Sequence, residues 1–387
     1  MKYINEYYEP IEKIGDSIIE KAEMTREQMG FLCGIINEKR PYKILEVGVA
    51  AGSTTVVIIQ CLEMIGQSAQ LYSVDLCEKL YYNPEIDTGY ITSEYIREKL
   101  ISCVDHNLLL GKYLPQQLDV IGKELDLVIL DTVHHLPGEL LDFLAVLPYL
   151  NENAIVVLHD TSLEHINPRN DRYAFATQVL FQSVKANKIL NNSVEYPNIA
   201  AFEISESTRK AIFDVFSALT LSWYYYPSER ELSIYKEFYH RYYNDELCRI
   251  FDQAISLNYQ SLHRMDYFVS SYINSMCNSL FAQFDHILLY GVGFRGKTLF
   301  RCLEENIVNM HKVEFVVTST TEAEKSQCLV WLDIPYSFKD TLIILSADSN
   351  EIRTKLKQSN WIWIDIPDAV WSNLETVYGD CRGEMYE

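Results

Sequence analysis

The chain has 387 residues, 48% of them hydrophobic and 12% aromatic, and a formal charge of −21. That length can bury one large core or two, and the negative charge repels phosphate backbones, which argues against nucleic acid as a partner. No apolar run reaches the roughly 18 residues of a membrane span, MKYINEYYEPIEK has no signal-peptide core, and the nine scattered cysteines include no CxxC pair that would suggest disulfides or zinc. We expect a cytoplasmic protein with no membrane partner.

In chain order, residues 1–42 read as a helical lid, with Thr25 capping REQMGFLCGIINEK. From 43 to 205, strands at 43–48, 70–75, 106–110, 125–131, 153–159 and 198–204 alternate with helices. Such alternation implies an α/β domain with a mainly parallel sheet and right-handed crossovers. Residues 206–282 are helical and Tyr-rich; the segment would serve as an interdomain spacer or as the interface of a homo-oligomer. Residues 283–387 form a second, smaller Rossmann-like α/β unit.

The first chemical signal is KILEVGVAAGSTT at 43–55. Ile44, Leu45 and Val47 make a buried strand, and Gly48, Ala50 and Gly52 keep the following turn free of bulk. Ser53 then opens a helix whose free N–H groups face a ligand. A second strand, 71–74, ends in Asp75, at the distance where such folds place a carboxylate on a ribose. A dinucleotide domain would also carry that acid, but here Glu46 precedes the first Gly and the loop reads GxAxG.

The second signal lies at two later strand ends. LDLVILDTVHH puts Asp131 at one tip, with His134 three residues on and His135 beside it, and AIVVLHDTS puts His159 and Asp160 at the next. Adjacent strands would bring the two carboxylates together, where they repel unless one is protonated or a cation joins them. Mg²⁺ or another divalent cation suits hard oxygen ligands and needs only one or two carboxylates from the protein. His134 would accept the proton of a substrate hydroxyl.

The pattern E-V-G-x-x-x-G-S with a strand-end acid resembles the class I S-adenosylmethionine-dependent methyltransferases, and D-x-x-H with H-D-T is similar to their metal-dependent O-methyltransferase branch, sugar O-methyltransferases included. The resemblance implies S-adenosylmethionine held by Glu46, Gly48, Ala50, Gly52, Ser53, Asp75 and Asp131. It also implies metal ligands Asp131 and Asp160, a lesser ligand role for His159, and His134 as the base. Its acceptor would be a hydroxyl of a sugar or sugar-containing small molecule. Catechol-type relatives carry Lys at the base position and Asn after the second Asp, where this chain has His134 and Thr161.

Plainer readings exist for each residue. The small residues could serve helix packing alone, the two Asp could be helix caps, His135 could be structural or touch substrate, and the tyrosines at 224–226 and 239–243 suit interhelical packing. Two other functions fit the residues: an iron hydroxylase built on His134, His159 and Asp160, or a non-catalytic binding scaffold. In the last segment HILLYGVGFRGKTLF holds a GxGxxG at Gly291, Gly293 and Gly296, but Thr318 and Ser319 stand where a ribose-binding acid belongs. That loop is either a second nucleotide site or a structural turn.

Overall fold

The strand that begins at Lys43 lies inside the larger sheet, with its last four residues, Ile44 to Val47, buried on both faces. In the computed structural model, which describes residues 2–166, 173–191, 198–306, 313–347 and 349–379, the chain divides into two units, Met1–Ile255 and Ser256–Met385. The boundary falls within one continuous helix, Asp245–Ser279. No helix among the described residues is long and apolar enough to cross a membrane.

The strands of the first unit are β1 (Lys2–Ile4), β2 (Lys43–Val47), β3 (Ala69–Asp75), β4 (Lys79–Leu80), β5 (Asn83–Asp87), β6 (Val104–Leu110), β7 (Leu125–Leu130), β8 (Leu150–His159), β9 (Asn187–Asn191) and β10 (Ile199–Glu203). Eight of them form one sheet in the order β1-β9-β10-β8-β7-β2-β3-β6, while β4 and β5 form a separate hairpin. β2, β3, β6, β7 and β8 run parallel, and β10 is antiparallel to both β8 and β9. The chain moves outward from β2 to β3 and β6, then returns to β7 on the other side of β2. A cleft therefore opens between the carboxyl ends of β2 and β7, the switch point where open parallel sheets bind ligands.

Asp126 accepts hydrogen bonds from the backbone N–H groups of Tyr42 and Lys43, both at 3.0 Å, and so sets the start of β2 against β7. Thr25 caps the helix Arg26–Lys39: its hydroxyl accepts from Gln28 N at 3.3 Å, and the Gln28 side chain accepts from Thr25 N at 2.5 Å. That helix buries Met29, Phe31, Leu32 and Ile36 in the same core as Val57, Ile58 and Leu62 of the helix Ser53–Met64.

The expectation of an all-helical N-terminal segment is corrected here. Residues 2–4 are a strand pairing parallel with β9, and three residues are too few to display a period of two. β9 itself was absent from the expected strands because NKILN carries only two strongly apolar positions.

The second unit holds β11 (His286–Tyr290), β12 (Val313–Val317), β13 (Leu329–Val330), β14 (Thr341–Leu345) and β15 (Ile362–Asp365), all parallel in the order β13-β12-β11-β14-β15. Its core gathers Leu288, Tyr290, Val316, Ile343, Leu345 and Leu356.

Candidate active site

Two backbone contacts assemble the site. Gly48 N donates to Val74 O at 2.9 Å and Asp131 N donates to Val47 O at 3.0 Å, so the loop after β2 is held between the tips of β3 and β7. Gly48 has φ +92°, and a Cβ there would lie 1.7 Å from the carbonyl oxygen of Asp131; only glycine fits. Gly52 (φ +90°) is equally constrained, since its Cβ would meet Thr92 Oγ1 at 2.4 Å. Ala50, His134 and Asp160 are also left-handed, with φ of 45°, 59° and 56°. Non-glycine residues rarely accept that conformation, and strain of this kind gathers where side chains must be aimed.

Glu46 is fully buried. Its Oε2 accepts from Thr55 Oγ1 at 2.7 Å and from Ser73 Oγ at 2.6 Å, while Oε1 has no partner. Burial pushes its carboxyl up to about 7, against the pull of those two hydroxyls. Ser53 Oγ, at the start of the next helix, is likewise buried without a partner. Asp75, expected at a ribose, braces the loop: Oδ2 accepts from Val49 N at 2.9 Å and Ala50 N at 3.1 Å, and Oδ1 accepts from Cys77 N at 2.9 Å.

Asp131, His134, His159 and Asp160 converge. His159 Nδ1 donates to Asp131 Oδ1 at 3.0 Å and lies 3.4 Å from Asp160 Oδ2. His134 Nε2 is 3.3 Å from Asp160 Oδ2 and 3.9 Å from Asp131 Oδ1. One donor atom from each of Asp131, His134 and Asp160 falls within 4.8 Å of the others, a separation one cation could span. His159 Nε2 is buried with no partner.

Burial raises the carboxyl of Asp131, but the attraction of His159 and then His134 outweighs it and holds the group below the usual range. Asp160 is raised instead, by burial and the charge of Asp131, with the histidines and Asn198 opposing. His134 is lifted to about 10: burial works against the cation, but Glu139, Asp160 and Asp131 surround it. His159 is also raised, since Asp131 and Asp160 overcome its burial.

Several contributors were not anticipated. Glu139 is completely buried on the helix Gly138–Val146; its Oε1 accepts from His134 N at 2.7 Å and lies 3.4 Å from His134 Nδ1. Asn198, at the entry to β10, donates from Nδ2 to Asp160 Oδ1 and accepts from Ser162 N at 2.8 Å. Asn198 was hidden by its distance in sequence from Asp160, and Glu139 by its resemblance to an ordinary first-turn helix acid. His135 donates from Nδ1 to Val133 O at 2.8 Å and stacks on Tyr224, ring centroids 4.8 Å apart.

Residues 45–161, which contain all of these expected loop and acid positions, match a family model described as "Methyltransferase domain". By that match, residues 45–161 are a methyltransferase domain. Among solved structures, the methyltransferase unit is similar to a putative caffeoyl-CoA O-methyltransferase from Staphylococcus aureus (13% identity, 49% of this chain and 88% of that one, TM-score 0.36). It is also similar to the O-methyltransferase TomG from Streptomyces achromogenes, solved with S-adenosylmethionine (17%, 52% and 92%, TM-score 0.37). A third is an O-methyltransferase from Bacillus cereus solved with S-adenosylhomocysteine (15%, 51% and 89%, TM-score 0.37). No protein of curated function matches.

The GxGxxG of the other unit has a mixed geometry. A Cβ on Gly296 would lie 2.0 Å from Gly291 O, which is helix-against-strand packing, whereas one on Gly293 meets nothing. A Cβ on Gly291 would crowd Ala347. Thr318 is engaged with the Tyr290 hydroxyl at 2.9 Å, and Ser319 caps the helix Thr320–Ser326 through Glu322 N.

Proposed function

We propose that the chain transfers the methyl group of S-adenosylmethionine to a hydroxyl of a sugar or sugar-containing small molecule, assisted by a divalent cation. The observation that carries this reading is the convergence of Asp131, His134 and Asp160 at the switch point beside the Gly48 loop. The orphaned buried atoms fit the amino acid end of the cofactor: Glu46 Oε1 can accept from its ammonium and Ser53 Oγ can donate to its carboxylate. The two carboxylates Asp131 and Asp160 fit a divalent cation of the Mg²⁺ or Mn²⁺ kind, which takes one or two protein carboxylates and leaves His134 free to serve as the base.

Asp131 and Asp160, with His159 beside them, would hold such a cation, which would supply Lewis-acid activation of the acceptor hydroxyl. The protein's own residues do the rest. The hydroxyl oxygen bonds to the methyl carbon as the carbon–sulfur bond breaks and its electron pair returns to sulfur, leaving a neutral thioether. The hydroxyl proton passes to His134 Nε2. Glu139 behind the ring holds that nitrogen toward the cleft. Against the cost of its burial, His134 is lifted to about 10 by Glu139 first and by Asp160 and Asp131 after it, so a cation that neutralised the two aspartates would lower it toward the range of a base. Alignment of oxygen, carbon and sulfur is the main source of rate.

Calorimetric titration of S-adenosylmethionine with and without Mg²⁺ tests the reading. Micromolar binding that is lost in Asp75→Ala, whose loop has lost its brace, supports it; no binding in any condition overturns it.

A further inference from the structure

The hairpin of β4 and β5 breaks a local rule. Leu80 pairs with Asn83, so its turn has two residues, Tyr81 and Tyr82. Two-residue hairpin turns favour Asn or Gly in the left-handed conformation, but neither tyrosine adopts it. Both rings are displayed, Tyr81 67% and Tyr82 58% exposed, and they meet edge to face at 4.9 Å. A choice against turn chemistry that also exposes two large aromatics signals a surface kept for binding.

The hairpin is tied to the loop after β2: just beyond β5, Gly89 N donates to Ala50 O at 2.8 Å and Ile91 N to Ala51 O at 3.0 Å. The Tyr81 hydroxyl donates to Glu23 Oε1 at 3.1 Å, joining the hairpin to the N-terminal segment. Glu23 lies within electrostatic reach of Asp131, His134 and His159, and Tyr81 within reach of Asp131. A carboxylate and two phenol rings thus stand together on the side of the β2 loop where Glu23 and Tyr81 feel the charge of Asp131.

We propose that Glu23, Tyr81 and Tyr82 form the acceptor subsite, and that it takes a neutral or cationic pyranose ring and rejects an anionic one. The inference rests on the reading of the site as an O-methyltransferase. Tyr82 offers an apolar face to the C–H side of a sugar ring, and Glu23 accepts hydrogen bonds from ring hydroxyls or an amine. With the charge of Asp131 and Asp160 met by the cation, Glu23 is the carboxylate that repels a uronate.

Saturation-transfer NMR of the full-length protein loaded with Mg²⁺ and S-adenosylhomocysteine, using the methyl glycosides of glucose, glucosamine and glucuronic acid, tests this. The first two should receive saturation and the third should not. Tyr82→Ala should weaken binding at least tenfold, and Glu23→Gln should admit the glucuronide. Calorimetric binding of S-adenosylhomocysteine should be unchanged in both variants. Binding of the glucuronide as strong as that of the glucoside, an unaltered glucoside affinity in Tyr82→Ala, or no transfer to any glycoside while S-adenosylhomocysteine binds would overturn the subsite and leave the methyltransferase reading standing. Failure of wild-type protein to bind S-adenosylhomocysteine would remove both.

Discussion

The carbonyl oxygen of Asp131 occupies the space a side chain on Gly48 would need, 1.7 Å from an ideal Cβ. The loop after β2 and the backbone of Asp131 are therefore packed in direct contact at Gly48. Gly48→Ala combines a left-handed φ with a backbone clash, and we expect it to destabilise the unit by about 2–5 kcal/mol. Thermal melts and calorimetry should show loss of stability and cofactor binding together; a folded variant with wild-type affinity would contradict the contact.

Chelation separates the cation from the cofactor. EDTA should abolish methyl transfer and Mg²⁺ or Mn²⁺ should restore it, while S-adenosylmethionine binding persists. Asp160→Asn should lower kcat on the order of 10²-fold or more, as expected for several kcal/mol of lost charge stabilisation. His134→Ala should reduce kcat about 10²–10⁴-fold, as for a lost general base. Full activity in EDTA would remove the cation from the mechanism.

Much of this site was legible in the sequence because its residues sit at strand ends. Apolar runs fix β2, β3, β7 and β8, and a residue that ends such a run lies at the sheet's carboxyl edge; Asp75, Asp131 and Asp160 needed only that rule. What was hidden depends on backbone turns and strand pairings that residue types alone do not record. Glu139 looks like an ordinary first-turn helix acid until His134 turns back upon it with positive φ. Asn198 reaches Asp160 from a strand that runs antiparallel, a direction no local pattern records. Asp75 shows the converse: its position was legible, but its bonds to Val49 N and Ala50 N were not.

The tyrosines behind the site should differ in weight. Tyr239 donates to Leu141 O at 2.8 Å, and Tyr239→Phe should cost about 1 kcal/mol, as for a neutral hydrogen bond. Tyr235 donates to Asp142 Oδ1 at 2.5 Å, and burial pushes that carboxyl up to about 7. A carboxyl raised above its unfolded value binds a proton more tightly in the folded state, so its contribution is full at low pH and lost as pH rises through about 7. Tyr235→Phe removes the donor that most favours the carboxylate. Denaturant titrations should therefore show a larger cost for Tyr235→Phe above pH 7 than below pH 6, with Tyr239→Phe nearly independent of pH.

His106 on β6 gives the opposite pH dependence. Its Nε2 is 3.1 Å from Ser73 Oγ, and because Ser73 gives its own proton to Glu46, the imidazole must donate. Burial lowers the ring to about 4, with Asp105 opposing weakly. Between that value and the ordinary 6.5 the unfolded chain binds a proton that the folded chain refuses, so stability falls as pH falls. The linkage amounts to about 2 kcal/mol lost between pH 7.5 and 5. His106→Gln keeps a donor for Ser73 but cannot titrate. Urea unfolding at the two pH values should show wild type losing about 2 kcal/mol more than the variant; equal losses would mean that His106 charges freely in the folded protein.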